Sequence, residues 1–375
     1  MLSPRALNRS TLARQFLLGR EAVDAGEAVR RVVGLQAQHA ASPYLALWNR
    51  VAGFDPADLD AAFTERKIVK ATLMRITLHA VHADDHPCFH EAMQPTLRGS
   101  RLGDRRFTGS GLTAADADAL VGDLLAFADR PRSTGELRAW IEQRLGVPPQ
   151  GVWWALKSFA PLVHAPTGPP WSFGLRPAYV ASGLPPTLGA DADQALQTLV
   201  LRYLAGYGPA SALDVAQFAL VTRKRARAAL DAVADRLERL TGPGGSELFD
   251  LPGAPRPAED TPAPARLLPM WDNVLLAYAD RSRVVPPEYR GFVTRRNGDV
   301  LPALLVDGYV AGVWRPVGGG IEATAFHRLP DEAWAELAAE AEALTALLAG
   351  RDPAVYRRYD HWWSDMPGAQ VRMLP

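Results

Sequence analysis

The sequence predicts an α+β fold: three tandem winged-helix (helix-turn-helix) units followed by a small β-rich C-terminal subdomain. Two observations carry this. An order of amphipathic helices followed by alternating apolar strands recurs three times, with a period on the order of 85 residues that marks tandem domains rather than a solenoid. After a Pro/Gly-rich stretch at 242–264 the pattern changes to short apolar runs broken by Asn297-Gly298, Asp307-Gly308 and Gly318-Gly-Gly320, which is hairpin-turn chemistry. The chain of 375 residues, 48% hydrophobic and 22% charged, can bury several cores.

Taken in order, Leu12, Phe16 and Leu17 mark a first helix, and Ala28, Val29, Val32, Val33 and Leu35 form the apolar stripe of a second. Ser42-Pro43 supplies an N-cap and a first-turn proline for a third, which presents Tyr44, Leu45, Leu47 and Trp48. Two alternating runs, Lys67-Ile-Val-Lys-Ala-Thr72 and Met74-Arg-Ile-Thr-Leu-His-Ala-Val81, read as the wing hairpin. The second unit takes a helix at 115–127, the capping box Ser133-Thr-Gly-Glu136, a helical Val152-Trp-Trp-Ala-Leu156, and a wing from Leu162-Val-His164 and Trp171-Ser-Phe173. The third takes a helix at 193–203, a helix capped by Ser211-Ala-Leu-Asp214, and a basic helix opened by Thr222 that runs through Arg223, Lys224, Arg225 and Arg227. The 242–264 stretch reads as a linker, and an amphipathic helix at 331–348 closes the subdomain. The expected units are 1–110, 111–188, 189–264 and 265–375.

No apolar run approaches the roughly 18 residues that a membrane helix needs. Residues 1–20 carry charges where a signal peptide has its apolar core. A cytoplasmic protein without membrane contact is expected. The single Cys88 excludes an intrachain disulfide and a multi-thiolate zinc site. Basic and acidic residues balance at 41 each, but residues 1–110 hold 15 basic and 11 acidic side chains, so the positive excess sits early. Its densest form is Arg98-Gly-Ser-Arg-Leu-Gly-Asp-Arg-Arg106, read as a loop that contacts phosphates through Arg98, Arg101, Arg105 and Arg106, or as a solvated connector.

The most informative stretch is Gln36-Ala37-Gln38, two neutral amides where the second helix breaks off. Residues two apart on a helix point roughly 200° from each other, so both line one pocket only if the helix ends or distorts between them. Arg75, Thr77 and His79 alternate on one face of the first wing, with Ile76 and Leu78 on the other. That polar face meets a ligand or simply solvent. Asp272, Asp280, Arg281 and Arg283 mix charge with an apolar strand, as an ion-paired strand end or as a functional group would. No Gly-x-Ser-x-Gly, flanked cysteine or phosphate loop occurs, and no cofactor is expected. His82, His86 and His90 are spaced by four, but capping and surface roles account for them, and no metal site is assigned.

Gly34-Leu-Gln-Ala-Gln38, Ser42-Pro-Tyr-Leu-Ala-Leu-Trp48, Arg75-Ile-Thr-Leu-His79, Leu268-Pro-Met-Trp-Asp272 and Ala279-Asp-Arg-Ser-Arg283 together resemble the AlkZ-type winged-helix DNA glycosylases. The likeness spans nearly the whole chain. It implies three winged helices around a concave DNA-binding surface, and excision of N7-alkylated purines, in some cases with unhooking of interstrand crosslinks made by antibiotic genotoxins. It places Gln36 and Gln38 in the catalytic positions, the second glutamine pointing to the self-resistance branch. It also makes Arg75, Thr77, His79, Arg98, Arg101, Arg105, Arg106, Arg281 and Arg283 DNA-binding candidates. The partner implied is duplex DNA carrying alkylated or crosslinked purines, bound by a monomer.

Glutamine is no general base, so it must position water or stabilise charge through its amide oxygen, with Asp84 and Asp272 left as carboxylates able to assist. A crosslinked base cannot rotate fully into a deep pocket, so an open site is expected. The hairpins at 67–81, 164–173 and 312–326 are all candidates to probe the duplex. The competing reading is a non-enzymatic winged-helix regulator with its Thr222 to Arg227 helix in the major groove. A further one has the glutamines only capping a helix corner.

Overall fold

The computed structural model describes every residue except Val147, Pro149, Thr187, Leu188 and Asp365; the expected boundary after Leu188 lies outside the described residues. After α1 (Pro4–Arg14), capped by the Ser3 hydroxyl, the chain runs α2 (Ala25–Arg31), β1 (Leu35–Gln36), α3 (Ser42–Trp48), α4 (Pro56–Thr64), β2 (Ile68–Thr72) and β3 (Leu78–His82). Helices α5 (His86–Leu102) and α6 (Arg105–Thr108) lead to α7 (Ala114–Phe127), β4 (Arg132–Ser133), α8 (Thr134–Leu145), α9 (Gln150–Phe159), β5 (Leu162–Ala165) and β6 (Ala178–Ala181). A third succession is α10 (Ala192–Tyr207), α11 (Ala212–Ala219), α12 (Arg223–Ala232), β7 (Glu238–Thr241) and β8 (Glu247–Asp250), with Ala210 bridging Phe249. The expected caps at Ser133, Ser211 and Thr222 are present, and Thr113 with Asp116 forms a further capping box at the start of α7, each supplying an acceptor for otherwise unpaired helix N–H groups.

The first two sheets are one. Strand order β1-β3-β2-β5-β6-β4 arranges the strands of each succession as mirror halves, joined where Lys70 on β2 pairs with His164 on β5. The C-terminal region forms a five-stranded antiparallel sheet from β9 (Arg266–Leu268), β10 (Ala303–Val306), β11 (Tyr309–Val317), β12 (Gly320–Ala325) and β13 (Gln370–Leu374). A short helix α13 (Arg290–Val293) precedes β10, and α14 (Asp331–Ala349) packs on this sheet. The chain therefore closes on a strand, not on the expected helix. The turns expected at Asp307-Gly308 and Gly318-Gly319 are there, all four residues at positive φ.

Several expectations are corrected. The second helix ends at Arg31, because Val33 and Gly34 both take left-handed backbone (φ 63 and 85); a Cβ on Gly34 would meet Val81 Cγ1 at 2.8 Å. Helix α4, capped by Asp55 with Pro56 behind it, went unread; its short apolar face, Leu59, Ala62 and Phe63, left little signal. Ser42 does not cap α3; its hydroxyl bonds to Tyr356 Oη at 2.9 Å. Arg98 to Arg101 are helical, through Pro95, and not a loop. Part of the 242–264 stretch is β8. Trp171-Ser-Phe173 is a buried loop rather than a strand: Trp171 packs on Tyr44 at 4.9 Å and Phe173 on Phe63 at 4.7 Å.

The core is divided in an unexpected way. Helices α2 to α4 bury their apolar sides against the C-terminal sheet and α14, while α5 and α7 to α12 share a second apolar cluster. Two buried bidentate ion pairs lock this arrangement, Arg14 with Asp250 at 2.7 and 2.8 Å and Arg50 with Asp272 at 2.8 Å for both contacts. Breaking either by removing one partner leaves an uncompensated buried charge, at a cost of about 3–5 kcal/mol.

Candidate active site

The left-handed pair at Val33-Gly34 swings the chain out of α2 and lays it beside β3, with Leu35 opposite Ala80 and Gln36 opposite His79. The Ala37 N–H donates to Leu78 O at 2.7 Å, extending the ladder. In extended backbone residues two apart share a face, so strand period replaces the helix distortion expected from the sequence. Leu35 and Ala37 enter the core, and Gln36 and Gln38 take the opposite side. Gln36 is buried, whereas Gln38 is exposed at the mouth of a cleft. Neither caps a helix.

Arg75 is the hub of the site. It sits in the turn joining β2 to β3, where Arg75 and Ile76 both adopt left-handed backbone (φ 55 and 58). Two adjacent non-glycine residues there store strain of the kind found where a side chain must be aimed. Arg75 Nη2 donates to Gln36 Oε1 at 2.8 Å, to Asn273 Oδ1 at 2.9 Å and to His79 Nε2 at 3.2 Å, and Nη1 to Phe218 O at 3.4 Å. Asn273 Nδ2 donates in turn to Gly34 O at 3.0 Å, tying the C-terminal region to the bend that presents the glutamines. With Nδ1–H donating to Thr77 O at 3.1 Å, His79 offers Nε2 as an acceptor. Burial, then the Arg75 charge, hold its pKa down to about 3, and burial lowers Arg75 to about 10. Gln38 Oε1 accepts from the Leu78 N–H at 3.2 Å. Each glutamine oxygen keeps a second lone pair.

The carboxylates named from sequence are elsewhere engaged. Asp272 is neutralised by Arg50 and caps Val274 N–H. Asp84 lies exposed beyond the far end of β3, 3.6 Å from His82 Nδ1. Among the described residues no three ligand side chains gather for a metal: His86 and His90 stack, buried, at 5.5 Å.

The DNA-binding candidates separate into groups. His79 is fully buried and Arg283 nearly so, the latter donating to Pro209 O at 2.8 Å with its guanidinium 4.1 Å from the Tyr278 centroid. Neither reaches the surface: the face on which His79 alternates proves to be packed, and the stretch expected to be a strand at Arg281–Arg283 is a 3-10 turn that carries Arg283 inward. Thr77 donates to Met74 O at 3.1 Å, and Arg98 is paired with Asp118 at 2.8 Å. Arg101 and Arg106 lie over the Trp154 ring at 4.4 and 4.7 Å, and Arg105 is exposed. Arg281 is half-buried, donating to Thr294 Oγ1 at 3.1 Å. Sequence reasoning missed Asn273 and Phe218. Asn273 adjoins the Asp272 that closed a quoted motif, and the extra amide there was the available signal; Phe218 gave none.

The cleft that Gln38 edges has a volume of about 360 Å³ and is also lined by His39, Lys70, Leu78, His164, Phe173 and Arg358. A larger hollow of about 700 Å³, lined by Asp60, Ser172 and Arg351, contains neither glutamine.

Against known proteins, the chain is 28% identical over 355 residues to the interstrand DNA cross-link repair glycosylase of Streptomyces sahachiroi, covering 86% of this chain and 91% of the relative. Its fold is similar to that of the solved Streptomyces sahachiroi DNA glycosylase AlkZ, with a TM-score of 0.77 at 24% identity, over 92% of this chain and 97% of the other. No helix among the described residues is long and apolar enough to cross a membrane. The family described as DNA glycosylase AlkZ-like matches residues 29–347, and this chain, a DNA glycosylase, belongs to it.

Proposed function

We propose that this glycosylase excises N7-alkylated purines, and unhooks interstrand crosslinks, by hydrolysing the N-glycosidic bond with water positioned by Gln36 and Gln38. The observation that carries the reading is a polar cluster in which Arg75 gathers Gln36, Asn273 and the neutral His79 with no carboxylate among them, and Gln38, two residues on in the same extended segment, is held by the Leu78 N–H. An N7-alkylpurine is already cationic, so it departs without an acid, and C1′ develops positive charge that an amide oxygen can face. Arg75 fixes the Gln36 carboxamide, and the remaining lone pairs accept hydrogen bonds from the water. The crosslink-repair activity for which the Streptomyces relative is named supports the crosslink substrate, and the exposure of Gln38 suits a base that stays tethered to the opposite strand.

On this reading the three helix–strand–helix–helix–hairpin successions are winged-helix units at 1–110, 111–188 and 189–264, framing a concave duplex-binding surface beside the 265–375 subdomain. The β11–β12 hairpin, with Val317, Gly318 and Gly319 exposed at its tip, is the one that probes DNA. Of the other two, the β2–β3 hairpin turns its tip inward around Arg75, which is tied to Gln36, and the β5–β6 connection anchors Trp171 and Phe173 in the core while Pro166, Thr167, Pro169 and Pro170 stay exposed. Arg101, Arg105 and Arg106 meet phosphates, and the protein acts as a monomer. A regulator has less support: α4 carries Asp58 and Asp60 and no basic residue, and Arg225 and Arg227 of α12 are tied to Asp193, Asp231 and Glu247.

The test is duplex containing N7-methylguanine. Wild-type protein leaves alkali-labile abasic sites, and Gln38→Ala loses this while still binding the duplex. A wild type that binds but releases no base from this or a crosslinked substrate overturns the reading.

A further inference from the structure

The cleft beside Gln38 holds an amine that the hydrolysis does not use. Lys70, only 5% exposed, lies on β2 directly across from His164 on β5, and both side chains line the cleft with Gln38. Among the described residues Lys70 forms neither a hydrogen bond nor an ion pair; its Nζ sits 4.5 Å from the Phe173 ring centroid. Asp352, the carboxylate lining the same cleft, is engaged by Trp171 Nε1 at 3.1 Å. A buried ammonium without a counter-ion is poorly placed for stability, and such lysines are the ones that act as nucleophiles toward carbonyl carbon.

We propose that Lys70 attacks C1′ of the abasic sugar left by base excision, giving the enzyme a second activity as an abasic-site lyase with His164 as the proton acceptor. The amine nitrogen adds to the open-chain aldehyde, its proton passing to the carbonyl oxygen, and the carbinolamine hydroxyl takes a proton from solvent and leaves as water, so that the nitrogen lone pair forms the C=N bond of an iminium that keeps its N–H. His164 takes the C2′ proton; that C–H pair becomes the C2′=C3′ double bond, and the C3′–O bond breaks with its pair leaving on the phosphate. Water then hydrolyses the conjugated imine, freeing Lys70 and an unsaturated aldehyde at the 3′ end. No oxidant or reductant is consumed.

Three features suit these roles. Burial holds Lys70 down to about 8, so part of it is free amine near neutral pH. Burial, then Lys70 and Lys157, hold His164 well below its ordinary value, keeping its imidazole neutral. Gln38 lies on the same cleft, so the product sugar need not leave to meet the amine.

The inference rests on DNA entering at Gln38, and its test bypasses base excision by starting from the product. Full-length protein is incubated with duplex carrying one aldehydic abasic site, with and without sodium borohydride. The expected results are nicking without alkali, a borohydride-trapped protein–DNA adduct, and mapping of that adduct to the Lys70 peptide. Only Lys67, Lys157, Lys224 and the N-terminus offer other amines, so the mapping on wild-type protein is decisive without any variant. Lys70→Arg keeps the positive charge but cannot form the imine, and should lose both adduct and nicking, which separates a nucleophile from a phosphate contact. No trapped adduct, an adduct on another amine, or undiminished nicking by Lys70→Arg overturns the proposal.

Discussion

Arg75 Nη2 and Gln36 Oε1 stand 2.8 Å apart, and through that bond the turn between β2 and β3 sets the rotamer of a side chain 39 positions earlier. Arg75 is thereby a positioning residue. Arg75→Ala should lower single-turnover excision of N7-methylguanine about a hundredfold, the scale of a 1 Å misplacement of a reacting group, with a much smaller change in duplex affinity. An excision rate equal to wild type would remove Arg75 from the mechanism.

Asp272 separates structure from catalysis. Asp272→Asn strands the Arg50 charge in the interior, and thermal or denaturant unfolding should register a loss of about 3–5 kcal/mol. Excision per folded molecule should nonetheless stay close to wild type, measured at a temperature where the variant is folded. A collapse of that rate by orders of magnitude would make Asp272 the base instead.

Stability should decline with acid earlier than carboxylate titration alone dictates. Burial holds His39 and His86 down to about 4 and His79 and His90 to about 3, whereas an unfolded imidazole titrates near 6.5. The unfolded chain therefore binds more protons below pH 6.5. The stabilisation is complete above that value and is lost as pH falls toward 3–4, with a slope approaching about 1.4 kcal/mol per pH unit for each such histidine. Urea midpoints at pH 8, 6.5 and 5 test this, and His90→Gln should flatten the slope; a midpoint unchanged between pH 6.5 and 5 would contradict it.

Salt dependence sorts the arginines. Loss of one phosphate contact lowers the slope of log K against log salt by about 0.9. Arg105→Ala and Arg106→Ala should each show such a decrease in duplex titrations across salt. Arg283→Lys, changing a buried residue, should leave the slope unaltered. The reverse pattern would place the phosphate track elsewhere.

Much of this architecture was legible because local chemistry fixed it. Ser133, Ser211 and Thr222 announce helices through their caps, and Asp307-Gly308 and Gly318-Gly319 announce hairpins through positive φ. Helix α4 was hidden since its short apolar face gives little periodic signal. The glutamines were legible as chemistry but not as geometry, because the two-residue strand β1 exists only by pairing with β3. Asn273 and Phe218 reach Arg75 from 198 and 143 residues away, and nothing local encodes such a meeting. His79 was misplaced for a related reason: a polar side chain on an alternating strand reads as solvent-facing until the tertiary partner that buries it is known, and Arg283, in a 3-10 turn, is likewise buried only by distant partners.

The Lys70 and His164 register pair joins the strands of the first two successions into one six-stranded sheet. That shared sheet stiffens the seam, so these two successions are expected to keep their relative orientation when a duplex arrives. Fit must then come from the nucleic acid, and damage that makes a site easier to kink would be found for mechanical reasons before any base is inspected.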